Sequence, residues 1–495
     1  MTRDAERGRR RRAAVALERA VGLLASGDRD GGRRALRSVD PRDLPAVPAL
    51  LRYAFAALGV GEDGRALDAA RLAAASDPRE PRAHLLLGVA LRRRGEFREA
   101  LAAFDAAVAL RPGRPDALAN RALTLEDLDR FEEAADAALA GLEAAPDDPD
   151  LLNVAGSALL AEGDTAGAIR AWRRLVEVER GAAWARFNLA TALLAAGRFE
   201  EGWQAYEARL ELRPEDAFPP TRAPRLRPGD AVAGRTVLCW HEQGFGDTVM
   251  ACRYLAMLAG RGADIVVRAP QPLVRLLGRL DAVRTVVAPD APLPGHDVQL
   301  PMMSLPLICD PALEHAAPAV PYLHAEPDAE VAARRAREAG PLVGVAWAGR
   351  PGHAEDRRRS IPAEALEDLF AVRGVTFVSL QPDRRPPAAA EGRLVAPDPP
   401  PRDLAALAAV IAGLDVVVSA DTAAAHVAGA LGIPLLLLLP RPAEWRWGTE
   451  GTATRWYPTA TLLRQPRPGD WAAVIAEAAA RLGRIARAGG GESRR

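Results

Sequence analysis

Small and apolar residues recur from about residue 11 to residue 214 with the spacing of amphipathic helices, and the helices themselves recur. Pro78, Pro112 and Pro146 lie 34 residues apart, and Pro214 falls two periods further on. Gly61, Gly95, Gly163 and Gly197 keep the same period, Asp129 fills the missing place, and Gly27 extends it one unit upstream. Ala66, Ala100, Ala134 and Ala168 repeat in step. Each unit holds two amphipathic stretches, for example Arg82 to Arg93 and Phe97 to Leu110, with glycine between them and proline after the second. Gly88, Ala122, Gly156 and Ala190 fall where two helices must approach closely, and Phe97, Phe131 and Phe199 supply larger side chains.

This pattern resembles the tetratricopeptide repeat, about 34 residues of helix-turn-helix. Six units fit the register, the first two weakly. Such arrays stack so that a concave face binds peptides or protein partners. Asn120 and Asn188 hold the same place in the first helices of two units, where the similar repeats of O-GlcNAc transferases carry a peptide-binding asparagine ladder. Leu86 and Val154 interrupt that ladder, and a plain solvated helix face remains an equal alternative.

From Phe218 to Asp230 the pattern gives way to Pro, Arg and Gly, which reads as a linker. The period then changes to short buried strands alternating with helices: Thr236 to Trp240, a helix over Thr248 to Ala259, Asp264 to Arg268, and on through Val287. After a charged, helix-prone connector, strands return at Leu342 to Trp347, Thr376 to Leu380, Asp415 to Ser419 and Leu435 to Leu439. The expected organisation is a basic flexible tail over 1–10, repeats over 11–214, and a linker over 215–234. Two Rossmann-like lobes over 235–325 and 341–485 follow, joined by a connector over 326–340, with a flexible tail over 486–495. Ligands of such lobes bind outside the carboxyl ends of the parallel strands.

Charge narrows the chemistry. The 65 basic and 65 acidic residues balance, so no global field favours nucleic acid or an anionic membrane. All the positive charge is arginine; the absence of lysine excludes a Walker-type phosphate loop, a Schiff-base enzyme and a protein-kinase fold. Phosphate must therefore be held by arginine and backbone amides. Cys239, Cys252 and Cys309 lack the spacing of a disulfide framework or a zinc site, and the seven histidines show no metal-ligand pattern. Glu18 and Arg19 break what would be the apolar part of a signal peptide after Arg9 to Arg12, and the run Leu435 to Leu439 is too short to span a bilayer. A cytoplasmic protein is expected, with no metal and no cofactor.

Three segments could carry chemistry. The first strand runs into His241, Glu242, Gln243, Gly244, Phe245, Gly246 and Asp247, where the glycines permit a tight turn and close ligand approach. Val249 occupies the place where a dinucleotide fingerprint needs its third glycine. Asp247 reads equally as a helix cap. In the second lobe, Asp421, Thr422, Ala423 and His426 open an apolar helix whose free amides and dipole suit a diphosphate, with capping again the plain alternative. Gly349, Arg350 and the run Arg357 to Ser360 follow another strand end and suit an anion clamp.

Together Trp240 to Tyr254, Trp347 to Gly349, Arg359 to Pro362, Val378 to Gln381, Asp421 to Gly432, Trp445 to Trp447, Trp456 to Pro458 and Arg464 to Gln465 resemble a known group. It is the bacterial tetratricopeptide-repeat glycosyltransferases related to the ADP-heptose:lipopolysaccharide heptosyltransferases. The resemblance covers nearly everything from residue 235 to 485. It implies the two-lobed GT-B fold, inverting transfer and no required metal. It makes Asp247 the base, in preference to its nearby competitors Glu242 and His241, and Gln243, Gly244 and Gly246 lie in the acceptor-side turn. It assigns the donor side to Gly349, Arg350, Arg359, Ser360, Gln381, Asp421, Thr422, Ala423 and His426. Arginine stands where heptosyltransferases have lysine, and the first lobe is short, which leaves the donor sugar open. The function so implied is transfer from a nucleotide-sugar to a protein or glycan acceptor recruited by the repeats; the alternative is a repeat scaffold with an inactive transferase domain.

Overall fold

The structure is a computed structural model that describes residues 3–492 apart from 45, 215–217, 316–319, 339, 350–355, 382–383 and 385. It divides into two compact units, Met1–Ala185 and Arg186–Arg495.

The first unit is built of helix pairs: α1 (Arg3–Ala25) with α2 (Arg29–Arg37), α3 (Val47–Gly59) with α4 (Asp63–Ser76), α5 (Pro81–Arg93) with α6 (Phe97–Leu110), α7 (Pro115–Asp127) with α8 (Phe131–Ala144), and α9 (Pro149–Glu162) with α10 (Thr165–Val178). Pro81, Pro115 and Pro149 open their helices at the position where a missing amide hydrogen costs nothing. The periodic glycines end the first helix of each pair in the left-handed region, from Gly27 (φ 88°) to Gly163 (φ 93°), and Asp129 takes the same conformation at φ 58°. The small positions admit aromatic rings: a Cβ on Gly88 would lie 2.5 Å from the Phe104 ring, and one on Gly156 2.4 Å from Trp172. The expected loose tail over 1–10 is helical from Arg3, because arginine favours helix and Glu6 pairs with Arg10 one turn on at 2.6 Å.

The second unit begins with the sixth pair, α11 (Ala183–Ala195) and α12 (Phe199–Tyr206), followed by a 3₁₀ turn over Glu207–Leu212. Its first sheet is parallel, in the order β3 (Thr285–Val287), β2 (Asp264–Arg268), β1 (Thr236–Trp240), β4 (Val298–Pro301). Helices α13 (Phe245–Ala251), α14 (Arg253–Gly260), α15 (Gln271–Leu277) and α16 (Leu305–Cys309) accompany it. The single helix expected over Thr248 to Ala259 is divided at Cys252. It starts earlier because Asp247 accepts the amide proton of Gly244 and so caps a turn beginning at Phe245.

The second sheet is also parallel, ordered β10 (Ala460–Arg464), β9 (Leu435–Leu439), β8 (Val416–Ala420), β5 (Leu342–Ala346), β6 (Thr376–Ser379), β7 (Leu394–Val395). Helices α17 (Ala329–Arg335), α18 (Asp356–Arg359), α19 (Glu367–Ala371), α20 (Leu404–Ala412), α21 (Ala423–Leu431) and α22 (Trp471–Glu492) lie around it. Helix α22 continues through the segment expected to fray beyond residue 486. One hydrophobic core joins the inner faces of both sheets and takes in Leu194, Trp203 and Tyr206 of the last helix pair. No helix among the described residues is long and apolar enough to cross a membrane.

Candidate functional site

Strands β1 and β8 end on facing turns. After β1 the chain turns at Gln243, whose φ is 61°, so the left-handed residue of this turn is the glutamine and neither glycine. Gly246 is required for another reason: a Cβ there would lie 2.5 Å from the His426 ring, so glycine lets α13 approach α21. Gly244 donates its amide to Asp247 Oδ2 at 2.8 Å. The other oxygen of Asp247 pairs with Arg446, from the 3₁₀ turn Trp445–Trp447 beyond β9. Arg446 also binds Glu444 at 2.6 Å, and its Nε is buried without a hydrogen-bond partner.

On the facing lobe, Thr422 is the cap of α21, yet its side chain makes no cap hydrogen bond; its hydroxyl lies 3.1 Å from Ser419 Oγ. Ala425 and His426 donate their amides to the Thr422 carbonyl at 3.1 and 3.4 Å, which leaves the Ala423 and Ala424 amides for another acceptor. Asp421 is buried, accepts from Trp447 Nε1 at 2.9 Å, and lies 3.7 Å from His426 Nε2. Desolvation raises its pKa against the pull of Arg446, the Trp447 hydrogen bond and Arg359. His426 is fixed through Nδ1 to the Tyr457 hydroxyl at 2.8 Å; desolvation, with Arg446 and Arg253 nearby, holds it well below the usual imidazole range and so neutral. Glu444 is pushed up to about 7, by desolvation first and then by Asp247 and Asp421, with Arg446 opposing. Its side chain is still 46% accessible, so solvent screens part of that crowding.

Gln381 latches the end of β5 by accepting the amides of Trp347 at 2.6 Å and Ala348 at 2.9 Å. Ser360 accepts the Gly349 amide at 2.9 Å and donates to Asp356. Arg359 lies 3.5 Å from Asp356, leaves its Nε buried without a hydrogen-bond partner, and is close enough to act electrostatically on Asp421 and Glu444. Arg350 lies outside the described residues.

Thus Gly246, Asp247, Asp421, Thr422, Ala423, His426 and Arg359 gather where β1 and β8 end, while Gly349, Ser360 and Gln381 shape the end of β5 beside Arg359. Glu242 is not among them. It is buried, accepts both Arg209 Nε at 3.0 Å and Arg209 Nη2 at 2.7 Å, and takes the Met303 amide at 3.0 Å. Those bonds occupy the carboxylate with Arg209 and Met303, and no bond described joins it to Asp247 or Asp421. Asn120 donates to the carbonyl of Asp116 within its own helix at 2.8 Å, and the carbonyl of Asn188 accepts from Thr191 at 2.7 Å. Among the described residues no group of three or more His, Cys, Asp or Glu is placed to hold a metal ion.

Comparison with known proteins agrees with this architecture. Residues 54–115, 85–149 and 153–217 match the tetratricopeptide repeat, and residues 399–448 match glycosyltransferase family 9 (heptosyltransferase). The second match contains Asp421 to His426 and Glu444 to Trp447. The helix pairs therefore match the tetratricopeptide repeat, and within the α/β unit that follows, the segment from β8 to the turn after β9 is similar to glycosyltransferase family 9. It is 31% identical to protein FlbA of Caulobacter vibrioides over 60% of its own length, and spans about half, 54%, of that curated relative. Among solved structures it is similar to MamA from Desulfovibrio magneticus RS-1, at 20% identity over 34% of this chain and 92% of that one with a TM-score of 0.30. It is also similar to a thermophilic tetratricopeptide-repeat protein of Thermus thermophilus, at 24% identity over 37% of this chain and 99% of that one with a TM-score of 0.30.

Proposed function

We propose that the C-terminal unit is an inverting, metal-independent glycosyltransferase that takes a sugar from a nucleotide-sugar. It passes that sugar to a protein or glycan acceptor recruited by the repeats. The observation that carries this reading is the cluster in which Asp247, a carboxylate from one lobe, pairs with Arg446 of the other, beside the α21 turn whose Ala423 and Ala424 amides have no side-chain cap, with Arg359 close by. In the reaction the acceptor oxygen bonds to the anomeric carbon as the bond from that carbon to the diphosphate oxygen breaks. The nucleoside diphosphate leaves with the electron pair, and Asp247 takes the acceptor proton. Arg359, Arg446 and the amides at Ala423 and Ala424 would neutralise the charge that develops on the departing diphosphate. Because Arg446 holds Asp247 in the free protein, a diphosphate that draws on the arginine also releases the carboxylate toward the acceptor.

The rival reading, a scaffold whose transferase unit is inactive, draws on the same pairing, since both oxygens of Asp247 are occupied. Incubation with a panel of UDP-, GDP-, ADP- and dTDP-sugars, monitoring nucleoside diphosphate release and product anomeric configuration, separates the two. Release with inversion is expected. No release from any donor, in a folded protein that also fails to bind nucleoside diphosphates, leaves the scaffold standing.

A further inference from the structure

The last helix pair is folded into the second unit, and Tyr206 at its end and Arg209 in the 3₁₀ turn that follows grip the acceptor-side turn directly. Tyr206 ends α12 with its hydroxyl 3.1 Å from Gln243 Oε1 and 3.0 Å from Gln243 Nε2. Its ring is wedged between Phe187, Trp203 and Trp445 at centroid distances of 5.3, 5.6 and 5.9 Å, so the hydroxyl cannot swing away. Arg209, three residues on, makes the two-pronged bond to Glu242 and a third to Ser304 Oγ at 2.8 Å. Consecutive turn residues are therefore each held by one side chain from the repeat.

The grip matters because of what it holds. Gln243 sits at φ 61°, a region that a residue with a Cβ adopts only at a cost, so without support the turn would relax. The next residue, Gly244, donates the hydrogen bond that orients Asp247. Trp445, against which Tyr206 packs, lies under the guanidinium of Arg446, 4.9 Å from its ring centre, and Arg446 is the partner of Asp247. Tyr206 thus touches both segments that meet at the carboxylate.

We infer that Tyr206 and Arg209, carried by the last repeat, are positioning residues for the turn that presents Asp247, so that the repeat hairpin is a working part of the transferase site. This inference rests on the reading of Asp247 given above. Within the full chain, Tyr206→Phe keeps the packed ring and removes only the hydroxyl. Amide hydrogen exchange over residues 241–248 should quicken about tenfold, as expected for the loss of one supporting hydrogen bond, with β1 and α21 unchanged. With whichever nucleotide-sugar the wild type consumes, kcat should fall by a similar factor while the donor KM holds.

Adding Gln243→Gly, which accepts the left-handed conformation without help, should restore most of the lost turnover. A side chain that acted only through packing would show no such rescue. Should Tyr206→Phe fail to fold, Gln243→Leu breaks the same bond from the exposed side and carries the same expectation. Unchanged exchange over 241–248 in a folded variant overturns the inference. An inactive wild type overturns the transfer reading alone, because the exchange result does not depend on turnover.

Discussion

Asp247 accepts the Gly244 amide with one oxygen and pairs with Arg446 through the other, and asparagine can replace only the first of these contacts. Asp247→Asn is therefore expected to cost about 1 to 3 kcal/mol of stability, because Arg446 keeps only Glu444 as a charged partner among the bonds described. If Asp247 is the base, turnover falls by roughly 10² to 10⁴ with donor binding preserved. Turnover within a few-fold of wild type, alongside an unchanged dissociation constant by calorimetry, would exclude it and direct attention to Glu444. His241 supplies a pH test beside it. Desolvation lowers its pKa from 6.5 to about 4, while its Nδ1 lies 2.7 Å from Thr248 Oγ1. Between those two values the unfolded chain takes up a proton that the folded chain refuses. The contribution is thus complete above pH 6.5 and is lost as pH falls toward 4. The advantage of wild type over His241→Gln in urea midpoint should shrink between about pH 7.5 and about pH 5; a constant difference would mean that His241 titrates normally. At this scale the sequence shows Asp247, Asp421 and His426 as candidates. It does not show Arg446 as the partner of Asp247, since the two stand 199 residues apart and only the fold brings them together.

The two helices that bear Asp247 and His426, α13 and α21, are separated by a glycine and an imidazole. A Cβ on Gly246 would meet His426 Cδ2 at 2.5 Å, and that ring is held by Tyr457 and lies 5.4 Å from Trp447, so it cannot yield cheaply. Gly246→Ala should cost about 1 to 3 kcal/mol and weaken nucleoside diphosphate binding as α21 is displaced. Gly244, at φ −87° with only Asp247 Oδ2 at 3.0 Å from its would-be Cβ, is the internal control, and Gly244→Ala should be much milder. Equal thermal shifts for the two variants would contradict this account of the packing. The same distinction explains what could be read of the elements beforehand. The 34-residue period is legible because a left-handed backbone favours glycine, with Asp129 the exception, and a tight helix approach demands glycine or alanine, so the preference is written in the sequence. Strands β4, β7 and β10 are not legible: Val298–Pro301 ends on a proline, Leu394–Val395 is two residues long, and Ala460–Arg464 lies beyond the last apolar run that stands out. They exist because the parallel neighbours β1, β6 and β9 offer them ladders.

For the whole molecule, composition changes at Phe218 whereas packing divides the chain at Ala185 and Arg186. The difference arises because a compositional border marks where helices stop, while a folding border marks where buried contacts stop: Trp203 and Tyr206 are buried in the second unit's core and Phe187 and Phe199 pack against it, while Trp184 stays exposed. Trp203 stands edge-on to Trp445 at 5.4 Å and to Trp456 at 6.4 Å, and the Arg209 to Glu242 pair is almost wholly buried, at 4% and 0% side-chain accessibility. A chain spanning residues 182–495 retains all of these contacts and should fold as a cooperative unit. A chain spanning 218–495 bares Trp445 and Trp456 and leaves Glu242 in the interior without Arg209, a loss of the kind that costs about 3 to 5 kcal/mol when one partner of a buried pair is removed. Since whole domains are stable by only about 5 to 15 kcal/mol, the shorter chain should aggregate or melt at a much lower temperature, although it contains both sheets in full. Size-exclusion chromatography and thermal melting followed by circular dichroism on the two fragments decide the matter. Equal melting temperatures for two monomeric fragments would show that the last repeat is an attachment to the second unit, and the positioning role given to Tyr206 and Arg209 would lose its structural basis.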